Sequence, residues 1–196
     1  MKRIVCACLL LVGLLGCEEL RPQRAIALPV PAAEQPVCNL PAQLHVRNWL
    51  GPLQQGSCVH ASLKNHALWH NDFAFARAWP HSDGEYASRL MQRLDATGVA
   101  YAFTEKADPR FLDWCDQHRH GCILWWKPSH CCTFMGWVRG SDGRQYAAIL
   151  DNNYPGKFEL TEREQFVRLW AGYGGFALSL LESPTISLPY RSYEVQ

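Results

Sequence analysis

The stretch Gln55-Gly56-Ser57-Cys58-Val59-His60-Ala61-Ser62-Leu63 decides how the chain reads. From Cys58 to Trp69, apolar or small residues recur at Val59, Ala61, Leu63, Ala67 and Leu68, a helical pattern, and Ser57 is a good N-cap for it. Cys58 is therefore expected to open a helix. A thiol becomes a useful nucleophile when its thiolate is stabilised, and a helix N-terminus beside an imidazolium supplies that stabilisation. Such a cysteine needs a histidine held against the same helix end.

Downstream, Tyr86, Leu90, Met91 and Leu94 share helical spacing within Gly84–Ala96, with Gly98 as a C-terminal stop. Val99–Thr104 has strand character. Asp108-Pro109 starts a helix to Asp116, with Asp as N-cap and Pro at the first helical position. Short apolar, aromatic runs of strand length follow at Cys122–Lys127, His130–Val138, Gln145–Leu150 and Gly175–Leu181. Ser141-Asp142-Gly143 turns the second into the third, and Thr161-Glu162-Arg163-Glu164 matches a capping box that opens a helix to Trp170. Helices first and strands later predict an α+β domain, its N-terminal helical part packed on a largely antiparallel sheet.

The histidine that Cys58 needs is His130, which heads the strand His130-Cys131-Cys132-Thr133-Phe134-Met135-Gly136-Trp137. The next strand ends in Asp151-Asn152-Asn153. In an antiparallel hairpin that end lies beside the start of the His130 strand, so Asp151 or Asn152 is placed to bond the far ring nitrogen and fix its tautomer.

Gln-Gly-Ser-Cys before a helix, a His heading a strand of the form H-x-x-x-x-x-G, and a strand ending in Asp-Asn resemble the papain-like cysteine peptidase superfamily. The nearest branch is that of the peptidases that trim double-glycine leader peptides. Val59-His60-Ala61-Ser62 resembles the Gly-Pro-Ala-Ser after that branch's nucleophile. Carried over position by position, the resemblance implies Cys58 as nucleophile, His130 as general base and acid, and Asp151 as the orienting residue, with Asn152 as its alternate. It also implies an upstream Gln donating to the oxyanion. That Gln usually lies six residues before the nucleophile, where this chain has Pro52, so Gln54 and Gln55 are the available amides. The string Gln55-Gly56-Ser57-Cys58 also matches the papain segment whose Cys is disulfide-bonded and whose nucleophile follows three residues later. In that register position 61 is Ala61 and the domain is an inactive peptide-binding module.

Upstream, Met1-Lys2-Arg3 and the apolar run Ile4–Leu15 form an export signal too short to span a bilayer. Its end, Leu14-Leu15-Gly16-Cys17, resembles a bacterial lipobox, which implies lipidation of Cys17 and a membrane-anchored lipoprotein of the cell envelope facing the periplasm or exterior. Residues 18–44, with Pro22, Pro29, Pro31, Pro36 and Pro41, suit an extended tether. The expected organisation is a signal peptide over 1–17, the tether over 18–44, a hydrolase domain over 45–184 and a tail over 185–196.

The chain has 196 residues, enough after leader and tether for one domain of about 150 residues. With 19 basic and 18 acidic side chains, net charge +1, no whole-chain field recruits nucleic acid or an anionic surface. Eight Trp, seven Tyr and eight Phe suit a compact core or a groove that grips extended ligands. Of nine Cys, removing Cys6, Cys8 and Cys17 leaves Cys38, Cys58, Cys115, Cys122, Cys131 and Cys132. Cys115 and Cys122, across a helix-to-strand turn, are placed to form a disulfide. Adjacent Cys131 and Cys132 point to opposite strand faces, and one is a candidate partner for Cys38. Cys115, His118, His120 and Cys122 carry soft ligands in a spacing that is no standard zinc pattern, so no metal or other cofactor is expected. The expectation is a monomeric cysteine hydrolase that attacks an amide carbonyl in a peptide or protein substrate. A transamidase or acyltransferase shares the same acyl-enzyme.

Overall fold

Helix α1 (Cys58–Trp69) runs through the middle of the domain, and every residue from Cys58 to Ala67 is buried. With no face in solvent it needs no polar stripe, and its polar side chains are bonded instead. Lys64 Nζ donates to Ala76 O at 2.8 Å, and Asn65 Oδ1 accepts from Val46 N at 2.6 Å. The structure, a computed structural model, describes residues 38, 40–53, 55–80, 82–181 and 192–194, the last of these by backbone only. The expected signal peptide with Cys17, most of the expected tether, and Gln54 lie outside the described residues.

The other helices are α2 (Phe73–Ala78), α3 (Ala87–Thr97), α4 (Pro109–Gln117) and α5 (Arg163–Gly172). The strands are β1 (Tyr101–Thr104), β2 (Cys122–Trp125), β3 (Cys131–Arg139), β4 (Gln145–Leu150), β5 (Phe158–Glu162), β6 (Ala177–Leu180) and β7 (Ser192–Glu194). They form one sheet in the order β5-β4-β3-β2-β6-β1-β7, antiparallel except where β7 joins β1. The α+β class with an antiparallel sheet is as expected.

Helices cover both faces of the sheet. Leu63, Leu90 and Leu94 pack with Ile123, Phe176 and Leu178 on one face; Phe111, Leu112, Phe166 and Trp170 pack with Cys132, Phe134 and Trp137 on the other. Full burial of Phe111 and Phe166 stabilises by about 2–3 kcal/mol each relative to exposure. Strand alternation sends Cys131 to the α1 face and Cys132 to the α4–α5 face. Met135 is the extra residue of a bulge between Phe134 and Gly136, and Gly136 takes it up with φ 129°.

Three local expectations are corrected, and one helix is added. The capping box at Thr161 is not used: residues 158–162 pair with β4, and Glu162 caps α5, accepting from Glu164 N and Gln165 N at 3.1 and 3.0 Å. Pairing along a whole strand outweighs one local capping signal. Helix α2 has no sequence signal, because Phe73-Ala74-Phe75-Ala76 alternates and is too short to show a helical period; Asp72 caps it by accepting from Phe75 N at 2.9 Å. Packing begins before His45, since Cys38 and Leu40 are buried against Met135 and Leu150, and Cys38 N donates to Met135 O at 2.8 Å. Within the expected tail, Ser192–Glu194 belong to the sheet.

Cys115 and Cys122 are brought together, but as free thiols in contact, and Cys38, Cys58, Cys131 and Cys132 are likewise free. The expected disulfide is therefore not formed; the two thiols pack at the α4–β2 turn as small buried apolar groups. No helix among the described residues is long and apolar enough to cross a membrane.

Candidate active site

The site forms where the start of α1 meets the turn before β3 and the end of β4. Ser57 precedes α1 but makes no side-chain cap; its hydroxyl donates to Ser82 O instead. The expected capping role is thus corrected. The positive end of α1, where the Cys58 thiol sits, therefore has no side-chain cap from Ser57.

The turn from β2 into β3 holds two non-glycine residues in the left-handed region, Lys127 (φ 69°) and Ser129 (φ 55°). Each costs of order 1–3 kcal/mol, tolerated where surrounding contacts over-determine the backbone. Here they do: Trp126 N donates to His130 O at 2.9 Å, and Lys127 Nζ donates to Asp151 Oδ2 at 3.0 Å and Glu159 Oε1 at 2.8 Å. The tight turn sets His130 over the end of β4.

His130 Nε2 donates to Asp151 Oδ1 at 2.9 Å. The Cys58 side chain is also a hydrogen-bonding neighbour of the ring. Burial alone would lower the His130 pKa, but the bonds and charges of Asp151 and Cys58 outweigh it and raise it to about 9. Burial would likewise favour a neutral Asp151. Bonds from His130, the Asn153 N–H and Lys127 instead hold its carboxyl well below the usual carboxylate range. Lys127 is kept charged by Glu159 and Asp151 against the pull of its own burial. At neutral pH the row is an ammonium, a carboxylate and an imidazolium, ending at the Cys58 sulfur.

Three of the residues expected in the site thus come together: Cys58, His130 and Asp151. It is Cys58 that interacts with His130, and Ala61, buried inside α1, has no side-chain group able to bond the ring. Asn152 does not serve as an alternate for Asp151. Its amide nitrogen donates to Cys58 O at 3.0 Å, Ser62 Oγ at 2.8 Å and Cys131 O at 2.8 Å, which ties α1 to β3 beneath the site. The amide near the ring is that of Asn153, 3.3 Å from His130 Nε2. A half-turn at the strand end sends consecutive side chains in different directions, so spacing alone could not choose between them.

Gln55 is exposed, and its bonds in this structure run through the backbone: its N–H donates to Asp83 Oδ1 at 3.0 Å and its carbonyl accepts from Gly51 N at 2.8 Å. Asp83 also accepts from Leu53 N at 3.0 Å, so one carboxylate shapes the loop ahead of the nucleophile. A Cβ on Gly51 would lie 2.4 Å from Asp83 Oδ1, so the close approach requires glycine there. The segment carrying Asp83 is pinned in turn by His60. Trp79 Nε1 is donor-only and bonds His60 Nδ1 at 2.9 Å, so the proton sits on His60 Nε2, which donates to Asp83 O at 2.9 Å. Asp83, Lys127 and Asn153 were not legible as site residues. Asp83-Gly84 carries only a turn signal, and Lys127 carries none.

Among the described residues, one group of three side chains could hold a metal ion: His130, Cys132 and Asp151. The Cys115, His118, His120 and Cys122 set is not gathered, with both cysteines buried and His118 Nδ1 bonded to Trp114 O at 2.9 Å. A cavity of about 600 Å³ lies at the far end of α1, lined by Trp69, His70, Asn71, His118, Arg119 and His120, away from Cys58. Trp126, just before the turn, is buried against Phe166 and Tyr173, whereas Trp125 packs on Phe176 with ring centroids 4.6 Å apart. No family model, no curated protein and no solved structure matches the chain.

Proposed function

We propose that this chain is a papain-like cysteine hydrolase that cleaves an amide bond in a peptide or protein, anchored to the bacterial cell envelope through a lipid on Cys17. The observation that carries the reading is His130, held by a carboxylate through Nε2 and neighboured by the Cys58 thiol at a helix N-terminus. A thiol, an imidazole and an orienting acceptor in that order form the nucleophile, acid–base and positioning set of acyl transfer. Four exposed large apolar side chains, Leu50, Leu53, Tyr86 and Tyr154, lie on the loops that flank Cys58 and Asp151, a rim suited to an extended chain with apolar side groups.

In the reaction Cys58, its proton held on His130, attacks the carbonyl carbon through sulfur and the C=O electrons move to oxygen. The first N–H groups of α1, at the thiol's own helix end, serve as donors for that oxyanion, with a Gln54 or Gln55 amide as the second. The carbonyl re-forms as the C–N bond breaks, and His130 gives its proton to the leaving amine. A thioester to Cys58 remains. His130 then takes a proton from water, whose oxygen displaces the sulfur. Asp151 keeps the ring oriented and stabilises its charged form throughout, and Lys127 keeps Asp151 ionised. Water as acceptor makes a hydrolase; an amine makes a transamidase.

The test is turnover of a mixed peptide library followed by mass spectrometry, with and without a primary amine. The reading expects new carboxyl ends produced by the wild-type chain and lost in Cys58→Ser. Amine adducts in place of acids would assign a transamidase. No cleavage, no adduct and no thioester at Cys58 would leave the inactive peptide-binding module.

A further inference from the structure

We propose that His130, Cys132 and Asp151 form a binding site for a soft divalent cation, Zn²⁺ or one of like chemistry, that switches the thiol site off. The inhibitory meaning rests on the hydrolase reading; the binding site does not. A ring nitrogen of His130, the Cys132 sulfur and a carboxylate oxygen of Asp151 all lie within 4.8 Å of one another. Ligand atoms around a tetrahedral zinc are roughly 3.3–3.8 Å apart, so small side-chain adjustments convert one arrangement into the other. Thiolate, imidazole and carboxylate together select zinc-like ions over magnesium or calcium, which require oxygen ligands.

The placement of Cys132 is a consequence of the fold. Thr133 pairs with Leu150, so one step further the antiparallel register sets Cys132 beside Asp151. Cys132 is fully buried, it faces away from α1, and the hydrolytic scheme does not use it. Its neighbour Cys131 faces α1 and bonds Cys132 O through its own thiol at 3.8 Å, so it is outside the cluster. Supporting contacts are in place as well. Asp151 Oδ2 is held by Lys127, while Oδ1 accepts from Asn153 N at 2.9 Å and would exchange its bond from His130 for the metal; Glu159 pairs with Lys127 and offsets its repulsion of a cation.

Binding involves no redox change. The Cys132 thiol loses its proton to solvent, and so does His130 Nε2, whose bond to Asp151 Oδ1 the metal replaces. The proton on Nδ1 stays, so the ring can no longer take a proton from Cys58 or from water. Water completes the coordination.

Zinc chloride binding to the full-length chain, measured by equilibrium dialysis, decides this. The measurement is made in the Cys58→Ser background, which removes the nucleophile as a rival ligand. Cys58→Ser is expected to hold zinc, Cys58→Ser/Cys131→Ala to hold it equally well, and Cys58→Ser/Cys132→Ala to lose at least about tenfold in affinity. Melting curves without metal check that each variant folds, and Cys132→Ser replaces Cys132→Ala if the latter does not. Unchanged binding without Cys132, or loss of all binding in Cys58→Ser alone, would overturn the assignment. Zinc inhibition of turnover with Cys58 intact, each chain referred to its own metal-free rate, then tests the inhibitory meaning: wild type should be inhibited, reversibly by a chelator, and Cys132→Ala relieved by about tenfold or more, and equal inhibition of both would overturn it. A chain that binds zinc through Cys132 but hydrolyses nothing would sink the hydrolase reading and leave the metal site standing.

Discussion

Replacing Asp151 by Asn isolates the charge on which the His130 arrangement depends, because the amide oxygen can still accept from Nε2 and hold the ring in place. His130 stands at about 9 against an ordinary 6.5, a rise equivalent to about 3 kcal/mol. Asp151 comes first among the groups that raise it and Cys58 second. Assigning at least half of the rise to Asp151, the substitution is expected to lower the His130 pKa by about 1–1.5 pH units. The sign carries into stability. A histidine whose pKa is raised on folding contributes fully below the unfolded value near 6.5 and loses that contribution as pH climbs through the folded value near 9. Wild-type unfolding free energy should therefore fall across that window by about 2–3 kcal/mol, and the Asp151→Asn chain by about half as much or less. The assays are NMR titration of the His130 ring and denaturant unfolding at a series of pH values. A wild-type His130 titrating near 6.5, or an Asp151→Asn chain titrating where wild type does, would refute the reasoning.

Asn152→Ala removes two N–H donors shared among Cys58 O, Ser62 Oγ and Cys131 O, and should cost about 2–4 kcal/mol in denaturant unfolding. A role for Asn152 confined to catalysis would leave stability untouched. Gly51→Ala forces a contact with Asp83 that cannot be accommodated in place, so a loss of about 1–3 kcal/mol and a displaced loop ahead of Cys58 are expected in melting and turnover measurements. Lys127→Met leaves Asp151 and Glu159 facing each other without their shared cation. The Asp151 carboxyl should then protonate more easily, moving the acid limit of activity up by about half a pH unit to one unit. Lys127 is 41% exposed and its charge is screened, which keeps that effect small.

What was legible in the chain came from patterns that are local or that topology forces. The Cys58 helix, the strand Gln145–Leu150 and the meeting of His130 with Asp151 follow from periodicity plus one antiparallel hairpin, and the structure has all of them. What stayed hidden depends on contacts distant in sequence. Asp83 shapes the loop ahead of the nucleophile from about 30 residues away, and no spacing rule links them. Asn152, expected as the alternate to Asp151, points beneath the site and Asn153 lies by the ring instead, because side-chain direction at a strand end is set by the turn that follows, not by composition. Ser57 is a fine N-cap by type, yet the carbonyl of Ser82 takes its hydroxyl, a choice made by packing. The pairing of Cys115 with Cys122 was legible as proximity; whether two adjacent thiols join is a matter of redox environment rather than of sequence.

The central claim is that Cys58 is a nucleophile activated by His130, and alkylation tests it most directly. With iodoacetamide at neutral pH and peptide mapping, Cys58 should label well ahead of Cys38, Cys115, Cys122, Cys131 and Cys132, all of them buried thiols. Among these, burial pushes Cys38, Cys115, Cys131 and Cys132 above the ordinary thiol range. His130→Ala should slow the Cys58 reaction by about tenfold or more while leaving the others unchanged. Equal, slow labelling of all six thiols, indifferent to His130, would contradict the account.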